Sequence, residues 1–535
     1  MRTLPFLAVW VAGCTGAIGD GSAAPPSAVD RPTRPPPTTP QLTPELHHRE
    51  PSFVRRLSNQ ELQNAARDLA GLERSTALAR VPDKRDAVYE RVAESQTISP
   101  AHLEAFVGFA DEIADALLGE ALTAQVPFCE ARNRSCTEAF IDDVGPKALR
   151  RPLTSRERTA WLSIFDLGET FDEGFRLVVH AMFRSPNFLY LVEIGAEDGR
   201  LTDHELAARL SFAICETVPD EALRAAANAG ELRVPESLAM HAARLLAAPC
   251  ARTTLDRFFA QWLRLDEVPS LERDRERFPD FTSEHAAAMH RESTAFLSHV
   301  LWESSGELKE IFSADYSILD ATTAELYGLS EADGRTTLPG HRRGILTHPS
   351  ILALTSRPTE TAPIQRGLFV IDRLLCGELP HPPEDLEIVP PEFDDSMTTR
   401  ERWERHSSDP ACSGCHRLLD PVGFAMEDFD AVGRFRTTEH ELPVDATGGI
   451  PLLGIPAGEI VGGAELAEAL ATSPELAFCA SRHLLRFVLA RLESSVDQAS
   501  VEATYEVLRA GGSIQDGLLR LFSTQSFRYR KGSPE

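Results

Sequence analysis

Two cysteines and a histidine stand together at Cys412-Ser413-Gly414-Cys415-His416. Two thiols three positions apart can each form a thioether to a porphyrin vinyl group. The imidazole that follows directly can bind the iron, so the spacing is that of covalent c-type haem attachment. With nine cysteines and sixteen histidines in 535 residues, chance supplies roughly 0.005 such patterns in a chain of this length. The spacing also allows a redox or structural disulfide between Cys412 and Cys415, or half of a zinc site. Zinc needs two further ligands, and the chain has no second Cys-x-x-Cys. The motif predicts one haem c, with Cys412 and Cys415 as thioether donors and His416 as proximal iron ligand.

The sixth ligand is less determined. Met426, ten residues after His416, is the candidate distal ligand and would make a His/Met site of raised potential. An apolar side chain between Phe424 and Phe429 more often serves simple packing. His406, His440 and His348 are alternatives, as is an open, five-coordinate iron. Arg434 and Arg436 are candidates for charge-assisted hydrogen bonds to haem propionates. Other chemistries leave no signature. The sequence has no Gly-rich phosphate loop ending in Lys-Ser/Thr and no His-Glu-x-x-His, and no nucleophile elbow. Asp142 with Asp143, and Asp394 with Asp395, read as solvated loop charges.

Haem of this type is attached outside the cytoplasm, and the N-terminus agrees with export. Met1-Arg2 is a short positive start, Leu4 to Val11 a brief apolar stretch, and Val11-Ala12-Gly13-Cys14 a small-residue close. Residues 1–13 therefore read as a signal segment. Cys14 reads as a lipid anchor, with an ordinary signal peptide and a chance cysteine as the alternative. No later stretch is long and apolar enough to span a bilayer, so the lipid is the expected membrane attachment. The expected location is the periplasmic side of the envelope or the cell surface. Six cysteines remain, Cys129, Cys136, Cys215, Cys250, Cys376 and Cys479. They permit three disulfides in any of fifteen connectivities, and Cys129 with Cys136 is the local pair. The formal charge of -27, from 81 acidic against 54 basic residues, repels phosphate backbones and disfavours nucleic acid as a partner.

The elements that must position the motif announce themselves by helix starts. Ser58 with Glu61, Thr154 with Glu157, Thr202 with Glu205 and Thr398 with Glu401 are capping boxes. After Thr202 the residues Leu206, Leu210 and Ala213 share one helical face. Segments 253–265, 285–302 and 473–491 have helical length and period, while strand-like alternation is scarce, so the expected fold is mainly α and multi-domain. Breaks fall at 194–200, at Pro380-His381-Pro382-Pro383 and the acidic stretch to Asp395, and in a Gly/Pro-rich patch at 443–463. The expected organisation is a signal peptide (1–13), a Pro/Ser/Thr-rich tether (14–50) and a helical N-terminal domain (51–125). A helical domain with Cys129 and Cys136 (126–196) and a central helical domain (197–335) follow. The last two are a cytochrome c-like domain (336–440) and a C-terminal helical domain (441–535).

Beyond these readings, the chain resembles the multi-domain planctomycete-type cytochrome c family, also common in myxobacteria. Arg56-Leu57-Ser58 through Gly71 resembles its N-terminal planctomycete-specific domain. Ala148 to Thr154 with Ser185 to Tyr190, and Leu201 to Phe212 with Gln261-Trp262-Leu263, resemble two further domains. Gly344 to His348, Thr361 to Gly367, Cys412 to His416, Asp420 to Phe424 and Phe429 to Arg434 are similar to the family's cytochrome c domain. Phe478-Cys479 resembles its C-terminal domain. The resemblance implies a c-type cytochrome but no particular reaction, and an aliphatic residue at position 426 in many members, which weakens Met426 as a ligand. The expected function is single-electron transfer with a periplasmic or envelope redox partner. A haem-dependent oxidoreductase with an open iron position is one alternative, and a haem-free envelope scaffold with a Cys412–Cys415 disulfide is the other.

Overall fold

A computed structural model describes residues 54–85, 88–121, 129, 131–379, 391–408 and 412–530. The signal segment, Cys14, the tether and the proline run at 380–383 lie outside the described residues.

The four capping boxes form as the sequence predicts. They open the helices Asn59–Ala70, Ser155–Phe165, Asp203–Cys215 and Thr399–Ser407. In each, the Ser or Thr hydroxyl accepts from the Glu amide while the Glu carboxylate accepts from the cap amide, satisfying two otherwise orphaned donors. Glu205 also accepts from the amides of Ile194 and Gly195, which ties the 194–200 loop to the helix it precedes. Glu61 does more than cap. It is fully buried between Arg55 and Arg91. Burial pushes its carboxyl up, but the two guanidiniums outweigh that and hold it at about 2.

The expected helices at 253–265, 285–302 and 473–491 are Pro249–Trp262, Ser283–Glu303 and Pro474–Leu489. Two of them begin on a proline, whose missing N–H costs nothing in a first turn. The chain is mainly helical, and its strands form four two-stranded antiparallel ladders among the described residues. One ladder corrects the reading of 443–463 as a mere break, because Thr447–Ile450 pairs with Ile455–Val461 there. The glycines hid it, since a strand with few side chains shows no alternation.

Two buried clusters make the interior. One gathers Leu57, Phe109, Phe140, Phe175, Phe183 and Phe188. The other runs from Tyr89 to Phe527 and takes side chains from 51–125, 197–335, 336–440 and 441–535 alike, among them Tyr89, Trp262, Phe296, Val422, Leu484 and Phe522. The helix Asp203–Cys215 lies between them. Leu206 and Leu210 belong to the second cluster and Phe212 to the first, and a helix serving two cores is buried almost all round. Its Arg209 is matched by Glu193 and by the carbonyls of Phe527 and Tyr529. The six cysteines close three disulfides, Cys129–Cys136, Cys215–Cys250 and Cys376–Cys479. Among the described residues no helix is long and apolar enough to cross a membrane.

Candidate functional site

Cys412 is the N-cap of the helix Ser413–Phe424, so Cys415 and His416 lie on its first turn. Neither Cys412 nor Cys415 takes part in the three disulfides, and both are partly buried. The His416 side chain is 13 % exposed, and its Nδ1 lies 2.7 Å from Oδ1 of Asp420, one turn further along. A carboxylate there accepts the Nδ1 proton and so assigns the other ring nitrogen, Nε2, to any metal.

This motif helix is clamped by backbone contact. It packs on the short helix Pro363–Leu368. A Cβ on Gly423 would strike the Pro363 carbonyl, and one on Gly367 would strike the Leu419 carbonyl. Only hydrogen fits at either place. Where the helix ends, the fully buried Arg366 donates to the carbonyls of Met426, Phe429 and Asp430 and to the Glu427 carboxylate. Glu427 takes Thr361 and Arg436 as well. Arg436 also pairs with Glu439. Its guanidinium is thus matched within the fold by both carboxylates.

The helix Thr399–Ser407 faces the motif helix and is itself fixed at its start. Glu439 accepts from the Thr399 amide and hydroxyl, and Glu360 accepts from Arg402. Arg400 reaches the Thr447 carbonyl while lying over the Phe424 ring, 4.8 Å from its centre. One face of this helix brings Trp403 and His406 to His416, with ring centres at 6.1 and 5.4 Å. Trp403 is 5 % exposed, and its Nε1 is buried without a hydrogen-bond partner among the described residues.

The remaining sequence candidates fall elsewhere. Met426 is 1 % exposed and belongs to the main core. It lies past the end of the motif helix, in the turn whose carbonyls Arg366 binds. His348 is fully buried beside Ser293 and 3.6 Å from Glu292. Burial, with Arg342 nearby, brings this imidazole down to about 3. Burial likewise lifts the Glu292 carboxyl to about 7, against the hydrogen bonds from Tyr327 and Ser317. Between these values both groups are neutral, so their contact is polar and not an ion pair. His440 packs edge-on to Phe393, with ring centres 5.5 Å apart. Sequence reasoning named His406 without being able to prefer it, and it missed Asp420 and Trp403. The i,i+4 spacing of His416 and Asp420 was the available signal for the first of these.

The donor set suits a haem of the c type. Two partly buried thiols and an imidazole with its second nitrogen already bonded share one helical turn. An unsatisfied buried donor, Trp403 Nε1, lies in the same corner. A cleft of about 540 Å³ bordered by Lys147, Arg150, Arg158 and His204 contains none of these residues.

Four family models match the chain in order. They are PSD3 over residues 55–119, PSD5 over 136–193, PSD4 over 201–329 and PSCyt3 over 342–439. Each is described as a protein of unknown function (DUF1587, DUF1595, DUF1592 and DUF1588 respectively). All four are domains associated with planctomycete cytochromes c, and the PSCyt3 match spans the Cys412–His416 motif. No curated protein and no solved structure matches the chain.

Proposed function

We propose that this chain of planctomycete cytochrome c-associated domains is an exported c-type haem protein that carries single electrons between envelope partners. The observation that carries the reading is the first turn of the helix Ser413–Phe424. There Cys412, Cys415 and His416 stand in attachment order, with Asp420 holding Nδ1 of the histidine. The PSCyt3 match over the same residues supports it.

Haem bound there supplies one-electron redox chemistry, and the protein's share is to hold it. Cys412 and Cys415 would hold the group by thioethers to its two vinyl carbons, each thiol adding S–H across a double bond. His416 would bind the iron through Nε2, the nitrogen that Asp420 leaves free. Asp420 keeps the imidazole in that tautomer and orientation. The glycine contacts at Gly367 and Gly423, with Arg366 beneath the following turn, prevent the helix from shifting under its load. The acidic surface, -27 overall, favours a partner with a basic docking face and steers it from a distance. A lipid on Cys14 would hold the protein at the envelope and is the membrane attachment we propose.

The test is an absorption spectrum and pyridine haemochrome assay on protein exported from a host competent in c-type haem attachment. The expected result is one covalent haem per chain, lost or held by a single thioether in Cys412→Ala and Cys415→Ala. A colourless, folded protein with Cys412 and Cys415 joined as a disulfide overturns the reading.

A further inference from the structure

We propose that the cleft of about 540 Å³ between residues 142–158 and 204–228 binds a small organic dianion with an apolar body. The proposal is independent of the haem reading, because the cleft contains no residue of the Cys412–His416 corner. Its volume falls within the roughly 300–1,000 Å³ of small-molecule sites, which favour junctions between packed units.

Charge decides the class of ligand. Two carboxylates line the cleft, Asp142 and Asp143, and both are already paired, with Arg158 at 2.6 Å and Lys147 at 2.7 Å. A third lining cation, Arg151, is held by Glu157. Arg150 and Arg224 remain. Arg150 donates to the carbonyls of Asn187, Phe188 and Tyr190, and Arg224 to the Pro219 carbonyl. Carbonyls satisfy N–H groups but carry no net charge, and among the described residues neither guanidinium meets a carboxylate at ion-pair distance. Two positive charges are thus left without a countercharge on the walls of a cleft, in a chain whose overall charge is -27. Low-dielectric walls concentrate such a field inside the cleft.

Arg150 is also fixed in place. It ends the helix Arg134–Leu149 in the left-handed region, at φ 58°, where glycine is the usual residue. It is 7 % exposed, with its guanidinium carbon 5.6 Å from the centre of the Phe212 ring. Burial and the nearby Arg55 bring this guanidinium down to about 9, so it stays charged at neutral pH. Buried charges are ordinarily paired, and an anion in the cleft supplies the missing partner. Pro146, Leu153, Ala207 and Pro219 also line the cleft, which suits a carbon skeleton better than a bare inorganic ion. Burial holds His204 below its ordinary value, so it enters as a neutral hydrogen-bonding group.

A dicarboxylate and a phosphate monoester share this chemistry, and the experiment separates them. The full exported chain is titrated calorimetrically with phthalate, with phenyl phosphate and with inorganic phosphate. At least one aromatic dianion is expected to bind at one site per chain, more weakly as salt rises, and the tighter one identifies the source. Inorganic phosphate lacks the carbon body and should bind about 10-fold more weakly. Arg224→Ala should weaken binding about 10-fold or more, and Arg224→Lys should restore part of it. Asn228→Glu, at an exposed position on the same wall, guards against misfolding of the alanine variant and should weaken binding by repulsion. Arg176→Ala removes an exposed guanidinium paired with Asp115 outside the cleft and should change nothing. Failure of both aromatic dianions to bind overturns the proposal, as does binding that survives Arg224→Ala and Asn228→Glu alike. Inorganic phosphate that binds as tightly as the aromatic dianions also overturns it, by reducing the cleft to a patch without a place for a carbon body.

Discussion

The Asp420 carboxylate stands 2.7 Å from Nδ1 of His416, one helical turn along the same face, with both side chains mostly buried. A negative charge behind a metal-binding imidazole makes the ring a stronger donor and favours the more highly charged metal. Asp420→Asn keeps the shape and removes the charge. Loss of such an outer carboxylate costs about 10–100-fold in metal stability. If that loss falls on the ferric form, the midpoint rises by about 60–120 mV at 59 mV per tenfold. Spectroelectrochemical titration of the two proteins measures it, and an unchanged midpoint would show that Asp420 serves packing alone.

Gly423 offers a test of the clamp that does not touch any donor. Its missing Cβ is where the Pro363 carbonyl lies, and backbone gives way less easily than a side chain. Gly423→Ala should destabilise the protein by about 1–3 kcal/mol or more and reduce the yield of covalent haem. Thermal unfolding and a haem stain read the two effects. Wild-type values for both would mean the helix is not held there.

Glu61 predicts acid sensitivity in the N-terminal cluster. Its folded value of about 2 lies below the ordinary 4.5. Its contribution is therefore present above pH 4.5 and is lost as the pH falls toward 2, a linkage of about 3 kcal/mol. Removing one partner of a buried ion cluster strands the others, so Glu61→Gln should cost about 3–5 kcal/mol near neutral pH. Urea unfolding at pH 7 and pH 3 should show the gap between variant and wild type narrowing in acid. A gap that does not change with pH contradicts the assignment.

Glu292 predicts the opposite slope. Its carboxyl sits at about 7 in the fold against 4.5 ordinarily, so the unfolded chain releases this proton first. Stability should fall as pH rises from about 4.5 to 7 and flatten above, by on the order of 3 kcal/mol. Glu292→Gln retains the acceptor for Tyr327 and Ser317 and should abolish that decline. Denaturant midpoints of both proteins across this range decide it, and parallel curves would refute it.

The Cys376–Cys479 bridge spans 103 residues and encloses the Cys412–His416 motif. Closing a loop of that length restricts the unfolded chain by about 4–5 kcal/mol. Replacing both cysteines with alanine should lower the unfolding midpoint accordingly, while the attached haem keeps its spectrum. A spectral change in this double variant would place the bridge in the site and not only in the scaffold.

Local chemistry was legible in the sequence because it depends on neighbours along the chain. The four capping boxes need only a hydroxyl and a carboxylate three residues apart, and all four formed. The Cys412–Cys415–His416 motif works on the same scale, since one helical turn carries all three donors. The hairpin at Thr447–Val461 was not legible, for Gly448 and Gly449 left no alternation to read. Which of fifteen disulfide patterns forms, and which histidine approaches His416, depended on elements far apart in sequence. His406, His348 and His440 are equivalent as letters. They differ because Glu439 and Glu360 pin one helix beside the motif, burial seals His348 next to Glu292, and Phe393 covers His440. The sequence by itself determined the donors and the helix that bears them. Tertiary packing alone decided what stands opposite, because distances across a core are set by side-chain volumes and long-range hydrogen bonds that no local pattern encodes.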